Sequence, residues 1–361
     1  VTILKEAVTS ANSAGDLSQV MTNTWLFTGP AGSGRSNAAI AFAAALVCKD
    51  GGCSKCQDCL STILGTHADV ELIKTQGLSI KIDEVRELIS RASWAPSVAN
   101  FRVVVIEDAD RLTDSAANAL LKVIEEPGLR TIWLLCAPTL TDVLPTIRSR
   151  CRHLALRTPS TKAITNLLIE RDQIDTKTAE FVARASGGHI GRARRLATDL
   201  NARQSREKIL KLPLMIKDVS SAYKAAQYLV DSAKAEAVAD AEKKDEDEIS
   251  KLKEAWGSTG SKMVTGGSKV IKELEKEQKS RSTRMVRDYL DRALLDLATL
   301  YRDIMLVQSN STDSLINQDL VEQINQLAAT SSQAKTLDKI EAILKTRRNL
   351  AQNAAPLLLI E

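Results

Sequence analysis

The stretch "TWLFTGPAGSGRSNAAIAFAAALVC", residues 24–48, constrains this chain more than any other. An apolar, β-forming run turns through a Gly- and Ser-rich loop straight into an Ala-rich helical pattern. A turn of that kind leaves the first amides of the helix pointing into the loop, an arrangement that surrounds a phosphate. A strand followed directly by a packed helix needs a parallel neighbour, which commits this part of the chain to an α/β layer. From Gly29 to Ser36 the spacing G-x-x-x-x-G-K-[ST] is kept, except that Arg35 stands where lysine is expected. The candidate phosphate contacts are therefore Gly29, Pro30, Ala31, Gly32, Ser33, Gly34, Arg35 and Ser36, with the Ser36 hydroxyl in the position that holds Mg²⁺. Arg35 keeps the charge but is a planar fork in place of a compact ammonium, so efficient catalysis is not expected of it. The alternative is a Gly-rich strand-to-helix turn that holds no nucleotide.

Four further apolar runs of strand length follow, at residues 70–73, 103–107, 132–136 and 153–156. Most are apolar throughout rather than alternating, as in strands covered on both faces. Between them lie helical patterns, among them "DEVRELISRAS" and "DSAANALLKVIEE", the latter with Asp114 placed to cap. A parallel sheet with helices on both faces is expected over residues 1–157. After Pro159 strand signals stop. Residues 158–203 read as a small helical unit with a Gly-Gly turn, and residues 204–361 as an all-α domain broken by a Gly/Ser-rich loop at 257–268.

The second nucleotide element should be an apolar strand that ends in acids, and "RVVVIEDADRL" supplies one. The common order is Asp-Glu, with Asp helping to hold Mg²⁺ and Glu activating water. Here it is Glu107-Asp108, which moves each carboxylate by a methylene, and an ångström of misplacement is costly in catalysis. Cys48, Cys53, Cys56 and Cys59 are spaced C-x4-C-x2-C-x2-C, close enough to close a tetrahedral, all-sulfur Zn²⁺ site. Such a site has no open position, so the metal would be structural, in a small module at 48–67. Four buried or free thiols are the alternative, but exposed thiols in a polar loop have no packing reason to cluster. His67 is nearby but not needed. Cys136 and Cys151 are expected to be buried.

Composition excludes little else. The chain has 361 residues, 44% hydrophobic and 26% charged, with no apolar run of membrane-spanning length, and its first residues read as an amphipathic helix rather than a signal peptide. A cytoplasmic protein is expected. The net charge of +4 does not by itself identify a nucleic-acid binder.

"WLFTGPAGSGRS", the four-cysteine insert after the loop helix, "SIKIDEVREL", "NALLKVIEEP" and "LPTIRSRC" occur in that order, and together they resemble the clamp-loader ATPases of bacterial DNA polymerase III, members of the AAA+ class. The resemblance implies an AAA+ sheet domain, a helical lid and a helical collar that mediates oligomerisation. It implies as partners gamma/tau and delta subunits, the sliding clamp and primer-template DNA, in a replisome-associated assembly. Of the family's subunit types, gamma/tau is the working ATPase, whereas delta-prime keeps the fold with degraded ATP chemistry. The lid motif Gly-Ser-Leu-Arg-Asp-Ala aligns with "GHIGRA", which puts Gly191 where the nucleotide-sensing arginine belongs; Arg192 and Arg194 are near enough for a shifted alignment to supply it. The polar residue expected after "TIWLLC" is replaced by Ala137-Pro138. The chain is more similar to the delta-prime type. Arg150 of "SRC" matches the arginine that in this family reaches a neighbour's γ-phosphate, a contribution worth factors of about 10³ to 10⁵ where an arginine acts in trans. Local pairing or capping is the alternative for Arg150. The resemblance thus implies a stator-like subunit within a nucleotidyltransferase complex. Two competitors are an active gamma/tau-like ATPase and a zinc-dependent nucleic-acid-binding module, the latter without a basic stripe or stacking aromatics beside the cysteines.

Overall fold

The computed structural model describes residues 2–14, 21–75, 77–128, 130–255, 267–311, 315–351 and 356–360. All but the last two residues of the expected loop at 257–268 lie outside these, and those two already belong to a helix. The chain forms two compact units, one of Val1–Ser160 with Gly188–Gly191, the other of Thr161–Gly187 with Arg192–Glu361.

In chain order the first unit runs α1 (Thr2–Ala14), β1 (Thr24–Thr28), α2 (Arg35–Val47), α3 (Gln57–Leu64), β2 (Val70–Ile73), α4 (Ile82–Ala92), β3 (Arg102–Ile106), α5 (Asp114–Glu125), β4 (Thr131–Ala137), α6 (Pro145–Arg148) and β5 (Arg152–Ala155). The strands form one parallel sheet in the order β2-β3-β4-β1-β5. Successive side chains of a strand point to opposite faces. Trp25, Phe27, Val103, Val105, Ile132 and Leu134 therefore pack with Phe42 and Leu46 of α2, while Leu26, Val104, Ile106, Trp133 and Leu135 pack with Leu88 of α4 and Leu120 of α5. That two-sided burial is why β1, β3 and β4 are almost wholly apolar, whereas the edge strands β2 and β5 are less buried and keep Glu71 and His153. Glu107 and Leu156, expected to close their strands, each fall just beyond them. Thr113, not Asp114, caps α5: its hydroxyl accepts from the Ala116 amide at 3.3 Å, and Asp114 takes up the first helical position.

The second unit is helical: α7 (Thr161–Glu170), α8 (Thr176–Ala185), α9 (Ile190–Thr198), α10 (Leu200–Met215), α11 (Val219–Ala255), α12 (Gly267–Gln308), α13 (Val321–Thr330), α14 (Gln333–Ala351) and α15 (Pro356–Ile360). Ala and Leu at helical spacing form its core, with Leu229, Val230, Leu290, Leu294 and Leu350 in one cluster and Leu210, Leu300, Ile304 and Ile324 in another. A buried polar relay crosses it. Asp303, fully buried, accepts from the amides of Ile316 and Asn317; Asn317 accepts from Arg206, whose Nε donates to Asp296 at 3.1 Å. Among the described residues no helix is long and apolar enough to cross a membrane.

Candidate nucleotide and metal sites

In a parallel sheet every strand delivers its C-terminal end to the same edge, where ligands of open α/β sheets bind. β1 delivers Gly29–Ser36 to that edge and β3 delivers Glu107-Asp108, with β4 alone between them, a separation of about 10 Å at the usual strand spacing. Gly29 ties the loop to the tip of β4, its amide donating to the carbonyls of Ala137 (3.3 Å) and Pro138 (3.2 Å). The loop closes through Ser33 N–H to Pro30 O at 3.0 Å and enters α2 through Gly34 in the left-handed region, φ 81°. No side chain caps α2 and no acid lies in its first turn.

The residues present fit a phosphate group. The amides at the start of α2 are uncapped, and two buried polar atoms of the loop, Ser33 Oγ and Arg35 Nε, have no hydrogen-bond partner among the described residues. The remainder of the arrangement is turned inward. Arg35 donates through Nη1 to the Gly29 carbonyl at 2.7 Å, holding its guanidinium against the loop's own backbone. Glu107, buried, lies 3.6 Å from Nζ of Lys74 at the end of β2. Asp110 has a buried carboxylate oxygen without a hydrogen-bond partner among the described residues, and burial, helped by Asp108 and opposed by Arg111 and Arg35, raises its carboxyl above the usual range. Burial likewise pushes the Cys136 thiol, in β4, up to about 12.

His189 is the residue that motif matching missed. A Cβ built on Gly32, which has φ 84°, would stand 2.4 Å from His189 Cα and 2.5 Å from its ring, so this residue rests directly on the phosphate loop. Its only advance signal was its place beside Gly191 in "GHIGRA". The two arginines that a shifted alignment would recruit are engaged inside the helical unit: Arg192 pairs with buried Asp296, and Arg194 holds Asp172 through two bonds of 2.6 and 3.1 Å.

Arg150 follows α6, whose first helical position is Pro145. Its side chain is 41% exposed; it donates to Thr146 O at 2.8 Å and to Ser149 Oγ at 3.2 Å, and pairs with Glu125 of α5 at 2.6 Å. In the free chain its contacts are local. Cys151 is partly buried, and burial pushes its thiol up to about 12.

The four cysteines converge. Their Sγ atoms all lie within 4.8 Å of one another, with Cys48–Cys53 at 3.7 Å and Cys48–Cys56 at 3.6 Å. Four thiolates about 2.3 Å from a zinc ion have Sγ–Sγ edges of about 3.8 Å, so this cage can hold a metal ion such as zinc. The amides of Cys56 and Cys59 donate to Cys53 Sγ and Cys56 Sγ at 3.3 and 3.4 Å, the second capping α3. Burial alone would raise the Cys48 thiol, but donors from the backbone of Cys53, Gly52 and Asp50 outweigh it and pull it down to about 6; burial pushes Cys59 up to about 12. His67 stays outside the cage. It is buried, accepts from the Asp69 amide at 3.0 Å and lies 3.6 Å from Asp58 of α3.

Known proteins share this chain's pattern in two blocks. The family described as "DNA polymerase III, delta subunit" matches residues 10–160, and "DNA polymerase III, delta subunit, C terminal" matches residues 269–361. The DNA polymerase III subunit delta' of Bacillus subtilis is 28% identical over 336 residues, covering 92% of this chain and 87% of that protein. The delta' subunit of Pseudomonas aeruginosa is 35% identical over 147 residues, 39% of this chain and 45% of that one. A gamma/tau subunit of Mycobacterium tuberculosis is 32% identical over 176 residues, 46% of this chain but 30% of that protein.

Proposed function

Because the chain belongs to the delta-prime family of DNA polymerase III subunits, we propose that it is a clamp-loader subunit that supplies Arg150 to the ATP site of a neighbouring gamma/tau subunit and does not itself hydrolyse ATP efficiently. The observation that carries this reading is the inward commitment of its own site. Arg35 is bonded to Gly29 and His189 rests on Gly32. Arg150, by contrast, stands partly exposed at a helix end, held by a carboxylate whose own side chain is 47% exposed. A pair so open is worth little, about 0–1 kcal/mol, and exchanging Glu125 for a phosphate of another subunit is correspondingly cheap.

A nucleotide held by the loop would be an architectural ligand. The start of α2, Ser33 and Arg35 would bind its phosphates, and Mg²⁺, where bound at Ser36, would neutralise phosphate charge. The cysteine cage is assigned a structural zinc, which would pin the 48–59 turn to the end of α2. Membership of a replication complex implies a cytoplasmic location, with gamma/tau and delta subunits as partners. The sliding clamp and primed DNA would be met through the assembly, DNA by phosphate rather than base contacts. Within the chain, residues 1–157 would act as the AAA+ domain, 158–203 as the lid and 204–361 as the collar.

The test is ATP hydrolysis by the purified chain, and then by a loader reconstituted with its Arg150→Ala variant. Negligible hydrolysis alone, and loss of clamp-stimulated hydrolysis in the variant complex, are expected. Full activity of that complex would sink the trans-arginine reading. Hydrolysis by the isolated chain, abolished by Arg35→Ala, would establish the gamma/tau-like alternative instead.

A further inference from the structure

The helical unit has a groove that none of the site chemistry above uses. It lies between α10 and α11, with a cavity of about 510 Å³. One wall is Lys208, Lys211, Leu212 and Met215, and the other is Ser221, Lys224, Ala225 and Tyr228. Each wall is a stripe at i, i+3, i+4 and i+7, so the groove is a valley between two helix faces about 10 Å long, two helical turns. Its floor is apolar. Met215 and Tyr228 remain 63% and 39% exposed, and Ile216 and Val219, in and just beyond the α10–α11 connection, are 44% and 87% exposed.

The rim carries three lysines, and no carboxylate lines the groove. The acids adjacent in sequence are already committed, Glu207 to Lys211 at 2.5 Å and Asp218 to the Ser221 amide at the start of α11 at 2.7 Å. Of the neutral polar side chains there, Ser221 and Tyr228, the first is satisfied as well, its hydroxyl accepting from the Lys217 and Asp218 amides. The arginine-lined pocket around Tyr289 differs in kind, with only about 60 Å³ and with Arg192, Arg195 and Arg206 already paired to Asp296, Glu236 and Asp240.

We propose that the α10–α11 groove docks an acidic amphipathic helix of another polypeptide, whose apolar stripe fills the valley and whose Asp and Glu side chains meet Lys208 and Lys224, Lys211 being already paired with Glu207. The helix-in-groove mode reads anchors at i, i+3, i+4 and i+7, the same repeat that lines the walls. Rim charges set selectivity and encounter rate more than depth of binding, so an acidic partner is chosen over a basic one of equal apolarity.

The test uses the full chain and a short fluorescein-labelled peptide with Leu and Phe at i, i+3, i+4 and i+7 and Glu elsewhere. Fluorescence anisotropy should show saturable binding that weakens as salt rises. The same composition in scrambled order, and a version with Lys in place of Glu, should not bind. Lys208→Glu with Lys224→Glu should weaken the acidic peptide by about tenfold or more, both positions being exposed. Met215→Glu, also at an exposed position, should abolish binding without changing thermal unfolding. Equal affinity for the scrambled or lysine peptide, or indifference to the paired lysine reversal, overturns the proposal. So does sedimentation showing that the chain self-associates and that the lysine reversal abolishes it, which would assign the groove to a second copy.

Discussion

Replacing Asp69 with asparagine should loosen the segment that leads into β3, by an amount the structure allows one to work out. Asp69 sits just before β2 with a fully buried side chain. Its Oδ1 accepts from the Ser97 amide at 2.7 Å and the Ser97 hydroxyl at 2.9 Å, and its Oδ2 from the amides of Val98 and Ala99 at 2.7 and 2.8 Å. Arg102, 3.4 Å away, completes the set. Burial works to raise this carboxyl, but the amides of Ala99, Ser97 and Val98 outweigh it and bring it from 3.8 to about 2. A depression of that size stabilises the folded state by about 2 kcal/mol above pH 5. Since the folded value is the lower one, this stability is present above the unfolded carboxyl's pKa and is lost as the pH falls from about 5 toward 2. Asparagine removes the charge and turns a donor toward other donors. The cost at pH 7 should be about 3 kcal/mol, because bonds to charged acceptors are worth about 1.5–3 kcal/mol each and stranded donors add to the loss. Urea unfolding, followed by the fluorescence of buried Trp25 and Trp133, measures it, and amide exchange at residues 97–99 locates it. The gap between wild type and Asp69→Asn should shrink by about 2 kcal/mol between pH 5 and pH 2. A variant within 0.5 kcal/mol of wild type at pH 7, by the scale of ordinary surface changes, or an unchanged acid slope, would refute the reasoning.

The purified chain should carry one zinc per molecule by elemental analysis, and Cys53→Ser should release it while leaving β-sheet circular dichroism unchanged, because the cage fastens α3 and not the strands. His189→Gly should raise the affinity for a fluorescent ATP analogue, since the residue resting on Gly32 is then reduced to backbone; an unchanged affinity would show that it obstructs nothing. Glu125→Gln, which frees Arg150 from its local partner, should leave hydrolysis by a reconstituted loader intact or raise it, and a loss comparable to that of Arg150→Ala would mean that Glu125 itself is needed.

Much of this was legible in the residues because the signals are local. An apolar run followed at once by a Gly-rich turn and an Ala-rich helix has one economical way to pack, and four cysteines within twelve residues can converge without help from the rest of the chain. The helix at "DSAANALLKVIEE" was equally plain, yet its cap was misplaced by one residue: Asp114 and Thr113 are both good caps, and the choice turns on which of them adopts the extended backbone, as Thr113 does with ψ 155°.

The departures at Arg35 and at Glu107-Asp108 were visible as letters, and their order alone already weighed against hydrolysis. What these side chains do instead depends on residues distant in sequence. Glu107 meets Lys74 because β2 and β3 are paired, and Gly32 meets His189 although 157 positions separate them. Asp69 gave no motif at all; its weight comes from three amides some thirty residues later that fold around one carboxylate. The sequence by itself thus determined the parallel α/β layer, the helical remainder and the thiol cage, since backbone periodicity and near-neighbour spacing specify them. Tertiary structure alone decided which charges are paired and which cover the loop, because a side chain's partner is set by strand order and packing, and these bring together atoms that no local pattern relates.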